Sequence, residues 1–368
     1  MFEKEMIRRL ANWFRGKKEG PMKIDIEPIA GCNLKCRFCW TRNKEKVESC
    51  RYERTLTEER IMEIIKEAAE LGVKEWQIAG GWEPMLNPQL AFKMMKLIKQ
   101  LGMYGCITTN GTLFTKDMIR RLVEIGWDQI LFSVEGPDAE THDYLTCVEG
   151  SFEKVKRNLM EFKKWKEYYR TSKPKYSIHA VLCNKNFTKL KEMIKFGFET
   201  GCSGVNFEPL IVWSEEGEKL KIREEDMGLL KKNIKEALKI ARKLNVPTNL
   251  GDWLKEELVK KEDMKKLMEK FKKGEKSLVN APCFNPWLGL EIRVSGRVTV
   301  CRLCDDETGC DNILDKSLKE IWFGEYFEKM REDFIHWNLP RYCSNCASGV
   351  FISNERLRRK LKEVIACK

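Results

Sequence analysis

Apolar residues follow two alternating rhythms between residues 22 and 245. Six short runs are apolar at every second position or nearly throughout: Lys23–Ile29, Trp76–Ala79, Tyr104–Thr109, Gln129–Val134, Tyr176–Leu182 and Val205–Pro209. Such runs predict β-strands. The stretches between them carry apolar residues three and four apart, which predicts helices with one buried stripe. The first is capped by Thr57, buries Ile61, Ile64, Ile65, Ala68 and Leu71, and stops at Gly72. The second starts near Asn87 with Pro88 in its first turn and stops at Gly102. The third spans Thr115 to Gly126, the fourth starts near Ser151, the fifth spans Thr188 to Gly201, and a sixth runs from about Glu224 to Asn245. A polar cap at the start and a glycine at the stop frame four of the first five. Strands that each feed a helix predict an α/β fold with parallel pairing and right-handed crossovers. Eight such units close a full barrel, and the functional groups of these folds lie at the C-terminal ends of the strands.

The pattern changes at both ends. Residues 251–279 are rich in Lys and Glu with Leu and Met interspersed, and read as a helical connector. From 280 the texture shifts: Trp287–Val294, Ser295-Gly296 and Arg297–Val300 predict a β-hairpin, and cysteines follow to the end. Residues 280–368 therefore read as a second, smaller, cysteine-rich module beside a main domain at 22–250. Residues 1–21 predict a basic amphipathic helix, with Phe2, Met6, Leu10, Trp13 and Phe14 on one face and Arg8, Arg9, Arg15, Lys17 and Lys18 around them. Packing on the barrel flank is favoured over a membrane-surface or partner helix.

Composition narrows the function classes. Hydrophobic residues make up 42% of the 368, enough for an ordinary core. No stretch approaches the roughly 18 apolar residues of a membrane span. The N-terminus lacks the apolar region and cleavage site of a secretory signal, so a cytoplasmic location is expected. Fifteen cysteines in a reducing compartment read as metal ligands rather than disulfides. Cys106, Cys183 and Cys202 lie in strand-like or turn contexts and read as small buried hydrophobes. Three histidines, His142, His179 and His336, argue against histidine-rich zinc or copper sites. The net charge of +12 could attract nucleic acid or membranes. Abundant Lys and Glu, with 34% charged residues, fit the surface ion-pair networks of a protein from a hot environment better, and no nucleic-acid partner is expected.

The sharpest chemistry sits after the first strand, in Gly31-Cys32-Asn33-Leu34-Lys35-Cys36-Arg37-Phe38-Cys39-Trp40. Three thiols at C-x3-C-x2-C spacing suit three irons of a cubane [4Fe-4S] cluster, which normally takes four ligands. The fourth iron is then open to a substrate or cofactor, as open positions mark catalytic metal sites. Zinc is the alternative, with Cys50 as fourth thiolate.

This loop resembles that of the radical S-adenosylmethionine (SAM) superfamily. The resemblance implies the superfamily's open, partial (βα)6 TIM-like barrel, SAM chelated to the open iron, and one-electron cleavage to methionine and a 5'-deoxyadenosyl radical. It also places Phe38 near the adenine. Gly80-Gly81-Trp82-Glu83-Pro84 is similar to the family's Gly-Gly-Glu-Pro segment, with Trp82 inserted, and implies that Gly80, Gly81 and Glu83 hold the SAM amino group. Thr109-Asn110-Gly111 resembles its Thr-Asn-Gly turn, and Ser133-Val134-Glu135-Gly136 its Ser-x-Asp-Gly pattern. Asn110, Ser133 and Glu135 are therefore expected beside SAM or its ribose. His179 on the fifth strand and Glu208 at the end of the sixth are candidate catalytic groups beside the same pocket, with a hydrogen-bonded structural residue as the default for His179. Many relatives place an arginine opposite the SAM carboxylate, but residues 141–150 contain no Arg or Lys. Lys154 or Arg157 is the substitute expected. Cys147 in that segment is a candidate hydrogen-atom donor, with a structural thiol as the default.

The tail resembles the auxiliary-cluster extension known as the SPASM domain, opening with Cys283, Gly296 and Cys301 at C-x12-G-x4-C and closing with Cys343-x2-Cys346. The resemblance implies that Cys283, Cys301, Cys343 and Cys346 hold one closed [4Fe-4S] cluster. Cys304, Cys310 and Cys367 leave a second cluster open, although Ile352 and Arg356 stand where the longer form has cysteines. A zinc ribbon is the alternative for the tail.

The chain is thus expected to be a radical SAM oxidoreductase or maturase. Its cofactors are a SAM-binding [4Fe-4S] cluster, SAM and at least one auxiliary [4Fe-4S] cluster. A ferredoxin or flavodoxin is the expected reductant. Peptide or protein modification is the leading reaction, by crosslinking, oxidation or epimerisation; a small molecule, sugar or lipid is the second substrate class. The rival classes are a non-catalytic protein with two zinc knuckles contacting RNA and an iron–sulfur electron carrier.

Overall fold

The computed structural model describes residues 2–40, 54–254, 275–304, 309–346 and 348–366. Its centre is one sheet in the order β6-β5-β4-β3-β2-β1-β7-β8. The first six strands are β1 (Lys23–Ile26), β2 (Glu75–Ile78), β3 (Tyr104–Thr109), β4 (Gln129–Ser133), β5 (Lys175–Leu182) and β6 (Val205–Pro209), all paired in parallel. Helices cover the outer face. After α1 (Glu3–Phe14) come α2 (Glu58–Glu70), α3 (Pro88–Gln100), α4 (Lys116–Ile125), α5 (Ala139–Thr146), α6 (Ser151–Tyr168), α7 (Leu190–Glu199) and α8 (Met227–Leu244). The expected partial barrel is present, and its strands begin and end close to the positions the pattern predicts.

The strand alternation sorts the two faces. On β1, Ile24 and Ile26 are fully buried against the helices with Trp76 and Ile78 of β2, Ile107 and Phe132. The intervening Lys23 and Asp25, and Gln77 of β2, line the cavity on the concave side. Caps form as predicted at Thr57, Asn87 and Thr115, whose side chains accept backbone N–H bonds from Arg60, Leu90 and Met118. Two helix starts differ. α6 begins after Gly150 (φ +75°), and the Ser151 hydroxyl bonds Asp143 instead of capping. α7 begins at Leu190 with no side-chain cap.

Two pieces sit elsewhere than expected. The hairpin is shorter than predicted, β7 (Gly289–Ile292) and β8 (Val298–Thr299), because Trp287 and Leu288 form a helical turn. β7 pairs in parallel with β1, so the hairpin extends the barrel sheet. The remainder of the tail is α9 (Leu318–Trp322), α10 (Glu325–His336) and α11 (Ser348–Ala366). α1 packs on this tail, not on the barrel's helical flank: Leu10 and Ala11 are buried with Phe284, Trp287, Phe334 and Leu361. Arg9, expected on the basic face, is buried and donates to the carbonyls of Gly20 and Gly72 at 2.8 and 2.6 Å. Most of the expected connector at 251–279 lies outside the described residues, as do Cys50 and Cys367.

Candidate functional site

At the C-terminal ends of the strands a cavity of about 810 Å³ opens. Its lining includes Cys32, Cys36 and Cys39 on one side and Cys283, Cys301, Cys343 and Cys346 on the other. β7 brings the two sets together, because its pairing with β1 hangs the tail beside the first cysteine loop.

That loop is fixed from three directions. The Lys35 and Arg37 amides donate to the carbonyls of Thr146 and Leu145 at the end of α5, at 3.0 and 2.9 Å. Asn110 bridges from β3: its Nδ2 donates to Asn33 Oδ1 at 2.9 Å and lies 3.9 Å from Cys32 Sγ. Trp40 covers Gly81 so closely that a Cβ there would stand 1.8 Å from the indole nitrogen. Gly80, at φ +129°, leaves no room either, with Glu27 Cγ 2.2 Å from its notional Cβ. Both glycines are therefore required by space, and Gly80 by conformation as well.

The inserted Trp82 does not displace Glu83. It turns against Trp40, edge to face at 5.1 Å. Glu83 is 2% exposed, and its carboxylate accepts from the Met85 and Asn110 amides and the Thr109 hydroxyl at 2.9, 2.7 and 2.8 Å. Burial nevertheless pushes its pKa up. Glu135 is likewise buried, accepts from the Val181 amide at 2.8 Å, and is pushed up to about 8 by burial. Ser133, Phe38, His179 and Glu208 line the cavity, with His179 Nδ1 3.6 Å from Glu208 Oε1.

Cys147 lies close enough to the first cysteine loop to act electrostatically on the Cys36 thiol. It ends α5 in a left-handed conformation (φ 55°), its thiol faces the Tyr144 carbonyl at 3.8 Å, and it is not among the lining residues. Lys154 and Arg157 are exposed on α6 and also absent from the lining, since they lie on the solvent face of that helix. Among the described residues the lysines and arginines that line the cavity are Lys23 and Arg302. Sequence reasoning passed over them, along with Asp25, Gln77 and Glu291. The signal of Lys23, Asp25, Gln77 and Glu291 was the polar half of the strand alternation, read only for its apolar half; Arg302 lies outside the strands.

The donor sets fit iron–sulfur clusters. A backbone amide two residues on donates to sulfur at Cys32, Cys283 and Cys301, at 3.4, 3.5 and 3.4 Å. Such N–H···S contacts favour a ligating thiolate. Cys283, Cys301 and Cys346 all act electrostatically on Cys343, as thiols gathered round one centre do. Cys304 and Cys310 form a separate buried pair, with Tyr342 beside Cys304 and Tyr326 beside Cys310. Among the described residues no three His, Cys, Asp or Glu side chains converge as for a single metal ion.

Comparison with known proteins is consistent with this geometry. Residues 26–197 match the model of the radical SAM superfamily, and residues 283–347 match the SPASM iron–sulfur cluster-binding domain. The AdoMet-dependent heme synthase of Methanosarcina barkeri is 27% identical over 181 residues, covering 49% of this chain and 48% of that protein. The PqqA peptide cyclase of Granulibacter bethesdensis is 32% identical over 133 residues, covering 36% and 34%. Streptococcus suis SuiB, bound to its precursor peptide SuiA, superposes with a TM-score of 0.63 at 18% identity, covering 89% of this chain and 70% of that one. The chain spans about half the length, or less, of the curated relatives it matches. Among the described residues no helix is long and apolar enough to cross a membrane.

Proposed function

The chain belongs to the radical SAM superfamily and carries a SPASM-type cluster-binding domain, and we propose that it modifies a peptide or protein by hydrogen abstraction from an unactivated carbon. With that membership come a SAM-binding [4Fe-4S] cluster, SAM, and at least one auxiliary [4Fe-4S] cluster. When bound, these groups supply a 5'-deoxyadenosyl radical by one-electron cleavage of SAM, and an electron acceptor or substrate anchor at the far wall. The observation that carries the reading is the single cavity lined by both cysteine sets.

The protein's own share is positioning and exclusion. Cys32, Cys36 and Cys39 would hold the first cluster, leaving one iron without a protein ligand. Gly80 and Gly81 let Glu27 and Trp40 pack directly on the backbone of the rim at β2, which shapes the wall a cofactor would lie beside. Glu83 clamps that rim to β3 through Asn110, and Trp40 with Trp82 closes the outer side against water. His179, with Glu208 3.6 Å away, would take a proton from the substrate. Cys283, Cys301, Cys343 and Cys346 would hold the auxiliary cluster. A peptide substrate is supported by the peptide-bound SuiB neighbour and by the PqqA peptide cyclase relative. An electron-donor partner such as a ferredoxin or flavodoxin fits the need for single electrons.

The test uses anaerobically reconstituted protein with dithionite and SAM, assayed for 5'-deoxyadenosine. A parallel sample carries Cys32→Ala, Cys36→Ala and Cys39→Ala together. The nucleoside should form with the wild type alone. A brown wild type that reduces reversibly yet yields none, even with peptide libraries present, would leave an electron carrier instead.

A further inference from the structure

Below the rim of the barrel the cavity has a charged wall that none of the cofactor motifs uses. Lys23 and Asp25 of β1 face inward level with Gln77 of β2, through the register pairs Lys23–Glu75 and Asp25–Gln77. Gly80 lies three residues beyond Gln77. At about 3.3 Å per residue this wall is on the order of 10 Å deeper than the rim. Arg302, next in sequence to Cys301, reaches across to it and donates from Nη2 to Asp25 Oδ2 at 2.7 Å. Its backbone is held as well, since the Arg302 carbonyl accepts from Arg293 at 2.7 Å.

Arg302 spends little of its donor capacity. The guanidinium has five N–H groups in a planar fork. Asp25 is the partner seen for it among the described residues. Yet 47% of the side chain is open, and the residue lines the cavity. Lys23 stands behind it, 3.1 Å from the other Asp25 oxygen and 3.0 Å from Gln77. Two cations thus share one aspartate. Of the other carboxylates of the lining, Glu83 and Glu135 are committed to backbone amides and Glu208 to His179, while Glu291 pairs with Arg293 at 3.2 Å and also acts electrostatically on Arg302 without a hydrogen bond to it. A held, outward-facing guanidinium fork with spare donors is matched to a carboxylate or a phosphate.

We infer that Arg302, backed by Lys23, anchors an anionic group of the substrate, carboxylate or phosphate, on the wall between the two cysteine sets. The inference rests on the function proposed above, because it takes the cavity as the place where substrate lies. It makes Arg302 a binding residue that selects which substrates enter and which carbon faces the rim.

The experiment titrates inorganic phosphate and, separately, succinate into the anaerobic, fully reconstituted enzyme saturated with SAM, followed by calorimetry. One anion should bind saturably at one site per chain. Arg302→Gln should weaken it at least tenfold, and Arg302→Lys should recover part of the loss. Binding of phosphate alone would indicate a phosphorylated substrate, and of succinate alone a carboxylate; either supports the anchor. Absence of saturable binding, or equal binding by Arg302→Gln, would overturn it. Iron content and melting of both variants establish that they are folded, and Arg302→Lys carries the test if the glutamine variant is not. The two readings separate in the wild type. Nucleoside formation without anion binding removes the anchor alone; anion binding without nucleoside removes the proposed chemistry alone.

Discussion

At the scale of single residues, space and charge at the cavity wall are tightly specified. Gly80 combines a left-handed conformation with a notional Cβ 2.2 Å from Glu27, whose carboxylate accepts from Arg293 at 2.8 Å. Gly80→Ala must strain the backbone and push Glu27 off its partner. We expect a loss of about 2 kcal/mol or more in stability, and at least tenfold weaker SAM binding in equilibrium dialysis; unchanged affinity would argue against SAM lying on this turn. Glu291 makes a pH prediction. It is 3% exposed, and burial pushes it up to about 7 despite the Arg293 guanidinium, which pulls the other way. Its folded value exceeds the unfolded one, so the stabilisation is complete below about pH 4.5 and is lost as pH rises through 7. Between those limits the folded chain holds a proton that the unfolded chain has released, and stability falls by about 1.4 kcal/mol per pH unit, about 3 kcal/mol in all. Glu291→Gln cannot titrate. The difference in unfolding free energy between wild type and variant should fall by that amount from pH 4.5 to 7, read from denaturant melts, and a flat difference would refute the shift.

At the scale of elements, α5 supports the cluster loop. Its last two carbonyls hold the Lys35 and Arg37 amides, and Asp143 locks the turn that follows by accepting from the Gly150 and Phe152 amides and the Ser151 hydroxyl at 2.7, 2.8 and 2.8 Å. Asp143→Ala leaves these donors without their acceptor, at about 1–3 kcal/mol. It should also lower iron retention at the first cysteine loop. Iron analysis in a Cys283→Ala, Cys301→Ala background would isolate that site, and full occupancy would show that the loop stands without its support. α5 was not legible in the sequence, because eight residues with a weak apolar stripe show too little periodicity. The six parallel strands and their major helices were legible, because continuous apolar runs and capped stripes recur in order. The pairing of β7 with β1 was not: a hairpin announces its own turn, but which edge it joins is decided by packing far away in the chain. For the same reason the cysteine spacings were readable while Arg302 was not, since its meaning comes from Asp25, 277 residues away.

At the scale of the whole molecule, the two ends of the chain close on each other. Leu10 is fully buried between the helical turn Asn285–Leu288 and α11, within a cluster that includes Phe284, Trp287 and Leu361 and against which Cys283 and Cys343 pack. Lys360 and Arg356 of α11 pair with Glu3, and Arg331 of α10 lies 4.5 Å over Trp13. The centre of the amphipathic face of α1 is therefore consumed inside the protein, and Phe14, 43% exposed, is too little apolar surface for a membrane-surface role. Two consequences can be measured. Liposome flotation with anionic vesicles should leave the protein in the soluble fraction at physiological salt. Leu10→Ala should cost about 2–5 kcal/mol, as truncations of buried leucines do, and the damage should be local to the tail. In a Cys32→Ala, Cys36→Ala, Cys39→Ala background, which leaves only the auxiliary site, Leu10→Ala should hasten iron loss on warming. In the complementary background lacking Cys283 and Cys301, it should leave iron at the first loop nearly unchanged. Equal losses from both sites would mean that α1 stabilises the barrel as a whole. Loss confined to the first would place its support on the opposite side of the cavity from where its contacts lie.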